Sequence, residues 1–150
     1  MNKHKNFLIW FILNISLAVT ARAALHGNEQ SVYDDSNKSA ATITTEALSN
    51  YTIHTLTLPS GTKVKEYLST NGQVFAVTWN GPLLPNFEMI LGSHIKDYQA
   101  ATNTNSSRRG PLIYQHPDIV IESAGHIRSF NGRAYLPTLL PMGLKLEEIN

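Results

Sequence analysis

Two reverse turns within residues 51–79 constrain the fold of this chain more than any other feature. The stretch reads YTIHTLTLPSGTKVKEYLSTNGQVFAVTW. Asn71 and Gly72, flanked by strand-forming residues, predict a two-residue type I′ hairpin turn, which needs positive φ at both central positions. Pro59 and Gly61 predict an earlier three-residue loop, because proline sets φ for a type I turn and glycine takes the left-handed position. The stretch is therefore predicted to be a three-stranded antiparallel meander.

Side chains alternate across a sheet, so the two turns also predict which residues share a face. His54 and Glu66 are expected to be direct neighbours on a face that is otherwise apolar. A register slip of one residue would move every side chain to the opposite face. The predicted pairs are His54 with Glu66, Leu56 with Val64, Leu58 with Thr62, Val64 with Trp79, Glu66 with Val77, Leu68 with Phe75 and Thr70 with Gln73.

His54 and Glu66 are the candidate catalytic residues. Burying a lone carboxylate is costly, and a neighbouring imidazolium offsets part of that cost. One interpretation is a structural ion pair, or a pair at the rim of the sheet. The other is an acid–base pair in a cleft between sheet and helix, as a small hydrolase would use. A metal site is a weaker third interpretation, because no clear third ligand is present unless His94 approaches from the helix.

The region after the meander predicts one main helix and several short strands. Asn86 is a suitable N-cap, and the apolar residues that follow recur at spacings of three and four, so they share one helical face. Residues 102–110 predict an exposed loop, residues 112–114 and 118–122 predict short strands, and residues 123–125 predict a turn. The shared helical face holds Phe87, Ile90, Leu91, His94, Ile95, Tyr98 and Ala101.

A second Asn-Gly pair, at residues 131 and 132, predicts a C-terminal hairpin of residues 127–130 and 133–136. In that register each arginine on one face lies opposite an aromatic ring, in contacts worth about 0.5–1 kcal/mol each when exposed. This set is either a ladder that stabilises the hairpin or a binding surface for an anionic or sugar-like ligand. The residues are Arg128, Phe130, Arg133 and Tyr135.

The first 23 residues have the layout of a secretory signal peptide. Lys3 and Lys5 precede an apolar run over residues 7–19, and Ala21 and Ala23 supply small residues two apart. A membrane anchor is the alternative, but a helix of 13 residues rises only about 20 Å against a hydrocarbon core of about 30 Å. We expect cleavage near Ala23, an exported product that is periplasmic or secreted, and no membrane span after cleavage.

The expected product is organised as a polar segment over residues 24–50, with one short helix near residues 32–41, and a single domain over residues 51–150. It carries 9 Lys and Arg against 11 Asp and Glu, which argues against a nucleic-acid partner, since such proteins show a basic excess. The chain has no cysteine, so disulfides and thiolate metal sites are excluded. The sequence also lacks G-x-S-x-G, H-E-x-x-H and phosphate-binding glycine motifs, and we expect neither cofactor nor metal.

Three segments carry a family resemblance: LPSGTKVKEY at residues 58–67, VFAVTWNGPLLP at 74–85 and GRAYLPTLLP at 132–141. With their surroundings they resemble the small exported proteobacterial proteins grouped as domain of unknown function 2844. The resemblance covers nearly all of the expected product except residues 26–50. It implies a Gram-negative envelope or secreted protein, and it implies no activity and no catalytic residue.

The predicted fold is α+β, with an antiparallel sheet of five or six strands and one main helix packed on one face. The predicted function is a non-catalytic periplasmic or secreted binding or accessory module. Its partner would be an anionic or carbohydrate component of the envelope, or another exported protein. The alternative function is a small hydrolase that uses His54 and Glu66 as an acid–base pair.

Overall fold

The computed structural model describes residues 25–105 and 110–150. The expected signal peptide, its cleavage position at Ala23, and residues 106–109 of the expected loop lie outside these residues. Within them the chain forms one antiparallel sheet of seven strands, in the order β1-β2-β3-β4-β7-β6-β5. The strands are β1 Thr42–Ala47, β2 Tyr51–Thr57, β3 Lys63–Ser69, β4 Val74–Gly81, β5 Leu112–Gln115, β6 Val120–His126 and β7 Ser129–Tyr135. The helices are α1 Glu29–Ser39, α2 Phe87–Leu91 and α3 Ile95–Asn105.

The α+β class is confirmed, and the details of the sheet and helices differ from the prediction. The sheet has seven strands rather than five or six, because β1 pairs with β2 at one edge. A second helical element, α1, begins after its N-cap Asn28, whose side-chain oxygen accepts a hydrogen bond from the Ser31 amide at 3.1 Å. Both elements come from the segment that we expected to be polar with one short helix.

The first turn of the meander has the predicted form. The Leu58 amide donates to the Thr62 carbonyl at 2.9 Å, and Gly61 has a φ of 85°. This loop sets the register of β2 against β3 and makes His54 and Glu66 direct partners. The left-handed position explains why a glycine is needed there.

The second turn differs from the predicted type I′ turn. The Ser69 amide donates to the Gln73 carbonyl at 2.9 Å, and Gly72 alone of the loop residues has positive φ, so the loop has three residues. Leu68 then pairs with Val74, and a bulge leaves Phe75 as the extra residue. Beyond the bulge the predicted register is restored, but Phe75 lies on the face opposite to the one predicted.

The predicted main helix is divided in two. Asn86 is the N-cap as expected, since its side-chain oxygen accepts a hydrogen bond from the Met89 amide at 3.2 Å. Gly92, with a φ of 54°, ends α2, and one 3₁₀ turn over Gly92–His94 leads into α3. The continuous apolar spacing did not reveal this break, which needs the freedom of glycine at positive φ.

The predicted C-terminal hairpin is wrong in its turn. β7 runs straight through residues 131 and 132, and β6 runs through the turn expected at 123–125. The actual turn consists of Ile127 and Arg128, with His126 paired to Ser129 and Arg128 at a φ of 68°. Gly132 serves packing instead, because a Cβ there would overlap the indole of Trp79, its register partner on β4.

The two faces of the sheet are covered by different parts of the chain. The helix face packs against the three helices around Leu56, Val77, Trp79 and Ile90. The opposite face, which we call the tail face, is partly covered by residues 137–150, which we call the tail. Its cluster holds Tyr67, Phe75, Ala76, Val120, Tyr135 and Ile149.

Candidate functional site

The helix face contains a sealed group of ionisable side chains beneath α1. His54 and Glu66 are each 0% exposed, and Asp35 of α1 is 1% exposed. We call these three residues the buried ionisable cluster. The sequence analysis placed His54 and Glu66 correctly but missed Asp35. The buried side of α1 includes Ser31 and Ser36 beside Asp35, so it carries too few apolar residues to give a helical hydrophobic signal.

His54 is held by β1 and by the start of α1. Its Nδ1 is hydrogen-bonded to Thr45 Oγ1 at 2.8 Å, and its Nε2 lies 3.7 Å from Glu29 Oε1. The ring of Tyr33 packs edge-on against the imidazole, with centroids 5.8 Å apart. Burial lowers the pKa of His54, and the charge of Glu29 opposes that shift in part. The neutral imidazole is therefore the favoured form at pH 7.

Glu66 has a very different environment, although it is the register partner of His54. Neither carboxyl oxygen has a hydrogen-bond partner within residues 25–105 and 110–150. Burial, and then the charge of Asp35, raise the pKa of Glu66 to about 8. Glu66 is therefore mostly protonated at pH 7. The ion pair that one interpretation expected between His54 and Glu66 is not formed by these described side chains.

The buried ionisable cluster has the residue types of an acid–base pair, but a substrate cannot reach them. A general base must come within hydrogen-bond reach of the proton that it removes, and both candidate side chains are fully covered. His94 is engaged elsewhere, with its Nδ1 3.0 Å from Asp97 Oδ2. No group of three or more His, Asp or Glu side chains among the described residues is arranged to hold a metal ion.

The tail face brings together some of the residues predicted for ligand binding and separates others. Arg133 and Tyr135 share this face, with the guanidinium carbon 5.8 Å from the centroid of the Tyr135 ring. Phe130 falls on the helix face, because side chains alternate along β7. Arg128 is an exposed turn residue. The ladder of two arginines opposite two aromatic rings is therefore not formed, since it depended on the wrong turn.

Arg133 is committed to contacts within the protein. Its Nε donates to Glu122 Oε2 at 2.7 Å, and Glu122 is its register partner on β6. Its Nη1 donates to the main-chain oxygens of Leu146 at 2.7 Å and Ile149 at 3.4 Å. Arg133 thus fastens the tail to the sheet, with a carboxylate that balances its charge.

The tail leaves part of this face uncovered, and we call that part the open groove. It is a concave surface of about 480 Å³ over β4, β7 and β6, bordered by Ile149 and Asn150. Two rows of register partners form its floor: Thr78, Arg133 and Glu122 in one, and Asn80, Asn131 and Ala124 in the next. Within the described part of the chain, the amides of Asn80 and Asn131 make no side-chain hydrogen bond, so their donors and acceptors are available.

These features define an α+β protein built on one antiparallel sheet, covered by helices on one face and partly covered by its own tail on the other. The chain belongs to the family described as protein of unknown function (DUF2844), whose model matches residues 21–149. The family resemblance read from the sequence is confirmed. No curated protein and no solved structure matches the chain. Over residues 25–105 and 110–150 no helix has the length and apolar character needed to cross a bilayer.

Proposed function

We propose that this chain is an exported, non-catalytic binding or accessory module that acts in the periplasm or outside the cell. Export is supported by the layout of the first 23 residues, with its basic start, apolar run and small residues before Ala24. Binding is supported by the open groove. The partner proposed from the sequence, an anionic or carbohydrate component of the envelope, suits the polar floor of that groove.

The shape and lining of the open groove are the observation that carries this proposal. Its volume of about 480 Å³ falls within the range of roughly 300–1,000 Å³ that is usual for ligand sites. The strands β4 and β7 in its floor are each paired with a neighbouring strand on both sides. Arg133 attaches the tail along the border of the groove. A site on a rigid sheet needs little reorganisation when a ligand binds, which favours affinity.

The alternative, a small hydrolase that uses His54 and Glu66, has no support from the geometry. Both side chains are completely covered, and the altered pKa of each has burial as its main cause. Structural groups also show altered pKa values when they are buried. The hydrolase would require α1 to move away from the sheet in every catalytic cycle.

Binding through the open groove is tested by filling it. Ala124 lies exposed on its floor, so Ala124→Trp should fill the groove without disturbing the core. Residues 24–150 would be immobilised, exposed to envelope extract from the native organism, and the retained material quantified. Ala47→Trp is the matched control, because Ala47 is exposed in the edge strand β1. Loss of retention for Ala124→Trp alone is expected; equal retention by both variants, or none by the parent, overturns the proposal.

Export is tested separately by expressing the full chain in a Gram-negative host. We expect the periplasmic or culture fraction to contain a product that starts at Ala24, as measured by intact mass. A full-length product confined to the cytoplasm would contradict export, and it would leave the binding experiment unaffected.

A further inference from the structure

We infer that the ligand of the open groove is an acidic polysaccharide, a linear chain that carries both hydroxyl groups and negative charges. This inference rests on the proposed binding function and names the class of ligand. It follows from three features of the tail face: a second concavity that continues the groove, the charges around that concavity, and the free amides between the two.

The open groove does not end at β4. A second concavity of about 360 Å³ lies at the turn end of the same strands, and Asn80 lines both. Lys63 is the register partner of Asn80 on β3, so the continuous surface crosses β3, β4, β7 and β6. A surface that crosses four strands suits an extended chain better than a compact metabolite.

The charged side chains that remain without an ion-pair partner along this surface are positive. Lys63 and Arg128 line the second concavity, and neither forms an ion pair within the part of the chain that the structure describes. Among the described residues that line either concavity, Glu122 is the one acidic side chain, and it is already bonded to Arg133 at 2.7 Å. Two cations remain for a ligand, although residues 24–150 carry more acidic than basic side chains. The overall charge of the protein therefore does not explain this local excess.

The centre of the surface is suited to hydroxyl groups. Asn80 and Asn131 are cross-strand partners, and the Cβ atoms of such partners are about 5 Å apart. Each amide offers donors and an acceptor, and a hydroxyl group likewise donates and accepts, so two neighbouring amides can bind vicinal hydroxyls. Trp79 is 1% exposed, so it provides no stacking platform for the apolar face of a neutral sugar. Pro111, Leu112 and the exposed Ile113 line the groove beside these amides and give it an apolar side. A sugar chain, whose rings carry C–H faces as well as hydroxyls, fits this mixed lining, and the two free cations add the preference for negative charge.

Three soluble polymers separate the parts of the inference. Polygalacturonate carries hydroxyls and carboxylates, dextran carries hydroxyls alone, and poly-glutamate carries carboxylates alone. We expect calorimetric binding of polygalacturonate by residues 24–150, and binding of the other two at least about tenfold weaker, since each lacks one of the two recognised groups. Equal binding of poly-glutamate would reduce the site to a charge effect and overturn the inference, as would preferred binding of dextran.

Paired substitutions assign the binding to this surface. Lys63→Gln with Arg128→Gln should weaken polygalacturonate binding about tenfold, since two exposed charge contacts are lost. Asn80→Ala with Asn131→Ala should reduce the ratio of the affinity for polygalacturonate to the affinity for poly-glutamate. Lys38→Gln with Lys96→Gln removes the same charge from α1 and α3, on the other face, and should change nothing.

The outcomes distinguish this inference from the function on which it rests. If Ala124→Trp abolishes retention of envelope material while no acidic polymer binds, the ligand class is wrong and the binding function stands. If Ala124→Trp has no effect, the binding function fails and the ligand class fails with it. Equal loss of polymer binding in the Lys38 and Lys96 control would also overturn the assignment.

Discussion

The two faces of this sheet place their ionisable side chains in opposite environments. The helix face buries Glu66 with neither carboxyl oxygen hydrogen-bonded among the described residues, and burial opposes charge on His54 as well. The tail face pairs Arg133 with Glu122 at 2.7 Å, holds Lys65 against a main-chain oxygen of the tail at 2.8 Å, and leaves Lys63 in solvent. Buried ionisable groups are usually the first place to look for a catalytic site. Here the helix face seals its ionisable groups, whereas Glu122 and Arg133 of the tail face line the open groove, where a ligand can reach them.

The tightness of the helix face is tested by Gly132→Ala, for which we expect the largest effect. The added Cβ would overlap the Trp79 indole and the Glu122 carbonyl, and overpacking of a core commonly costs about 1–3 kcal/mol. We expect the free energy of unfolding, measured in urea, to fall by an amount near the upper end of this range, about 3 kcal/mol. Gly110→Ala is the control, because its Cβ would meet no atom within 4 Å. Equal effects of the two changes would mean that the face is not tightly packed there.

The buried carboxyl predicts an unusual pH dependence of stability. The pKa of Glu66 is raised to about 8 when folded from 4.5, so the folded state binds more protons between these values. Stability from this group is complete below about pH 4.5 and is lost as pH rises to about 8, by about 1 kcal/mol per pH unit. Glu66→Gln should remove that slope, as measured by urea unfolding from pH 5 to pH 8.

His54 changes the pH dependence of stability in the opposite direction, so its effect can be measured separately from that of Glu66. Its folded pKa is lowered, so its stability contribution is present above about pH 6.5 and is lost as pH falls. His54→Gln should therefore flatten the acidic side of the profile and leave the alkaline side unchanged. A parent protein whose stability is constant from pH 7 to pH 8 would contradict the burial of an ionisable Glu66.

On the tail face we expect a smaller and local effect from Arg133→Met. This change removes two hydrogen bonds to the tail and the bond to Glu122, all at a partly exposed site, so global stability should fall by only about 1 kcal/mol. Hydrogen exchange at the Leu144, Glu148 and Ile149 amides should accelerate, because the tail is released. Arg128→Met, in the exposed turn, is the control and should leave those amides protected.

The smallest expected effect is a gain of stability at the turn between β6 and β7. Arg128 has a φ of 68°, a conformation that is unfavourable for a residue with a Cβ, whereas glycine adopts it readily. Arg128→Gly should stabilise the protein by about 0.5 kcal/mol in urea unfolding, after the greater chain entropy of glycine is offset. Arg128→Ala keeps the Cβ and should give no gain, and a gain equal to that of glycine would contradict the strain.

The sequence predicted the centre of the sheet because local rules decide the structure there. Pro59 and Gly61 specify their loop, and the loop places His54 against Glu66. An Asn-Gly pair does not by itself establish a two-residue hairpin turn. At residues 71 and 72 it belongs to a three-residue loop, and at 131 and 132 it lies within a strand where Gly132 makes room for Trp79.

Features that depend on distant contacts were not predictable from local patterns. The strand β1 is exposed along most of its length, so it lacks a clear alternation of apolar and polar residues. α1 lies over His54 of β2, which its Tyr33 contacts, and Asp35 is buried on the same helix. No spacing in the sequence indicates that packing. The contact of Arg133 with Glu122 followed from a register that the wrong turn had excluded.

The contacts that attach the tail to the sheet determine which of the tail's residues can be substituted. Arg133, Lys65 and Tyr67 all reach main-chain oxygens of the tail rather than its side chains. Every residue type presents the same carbonyl oxygen, so these anchors tolerate substitution at the exposed positions 146 and 147. Relatives could therefore alter the chemistry of the groove's border while the segment that forms it stays attached.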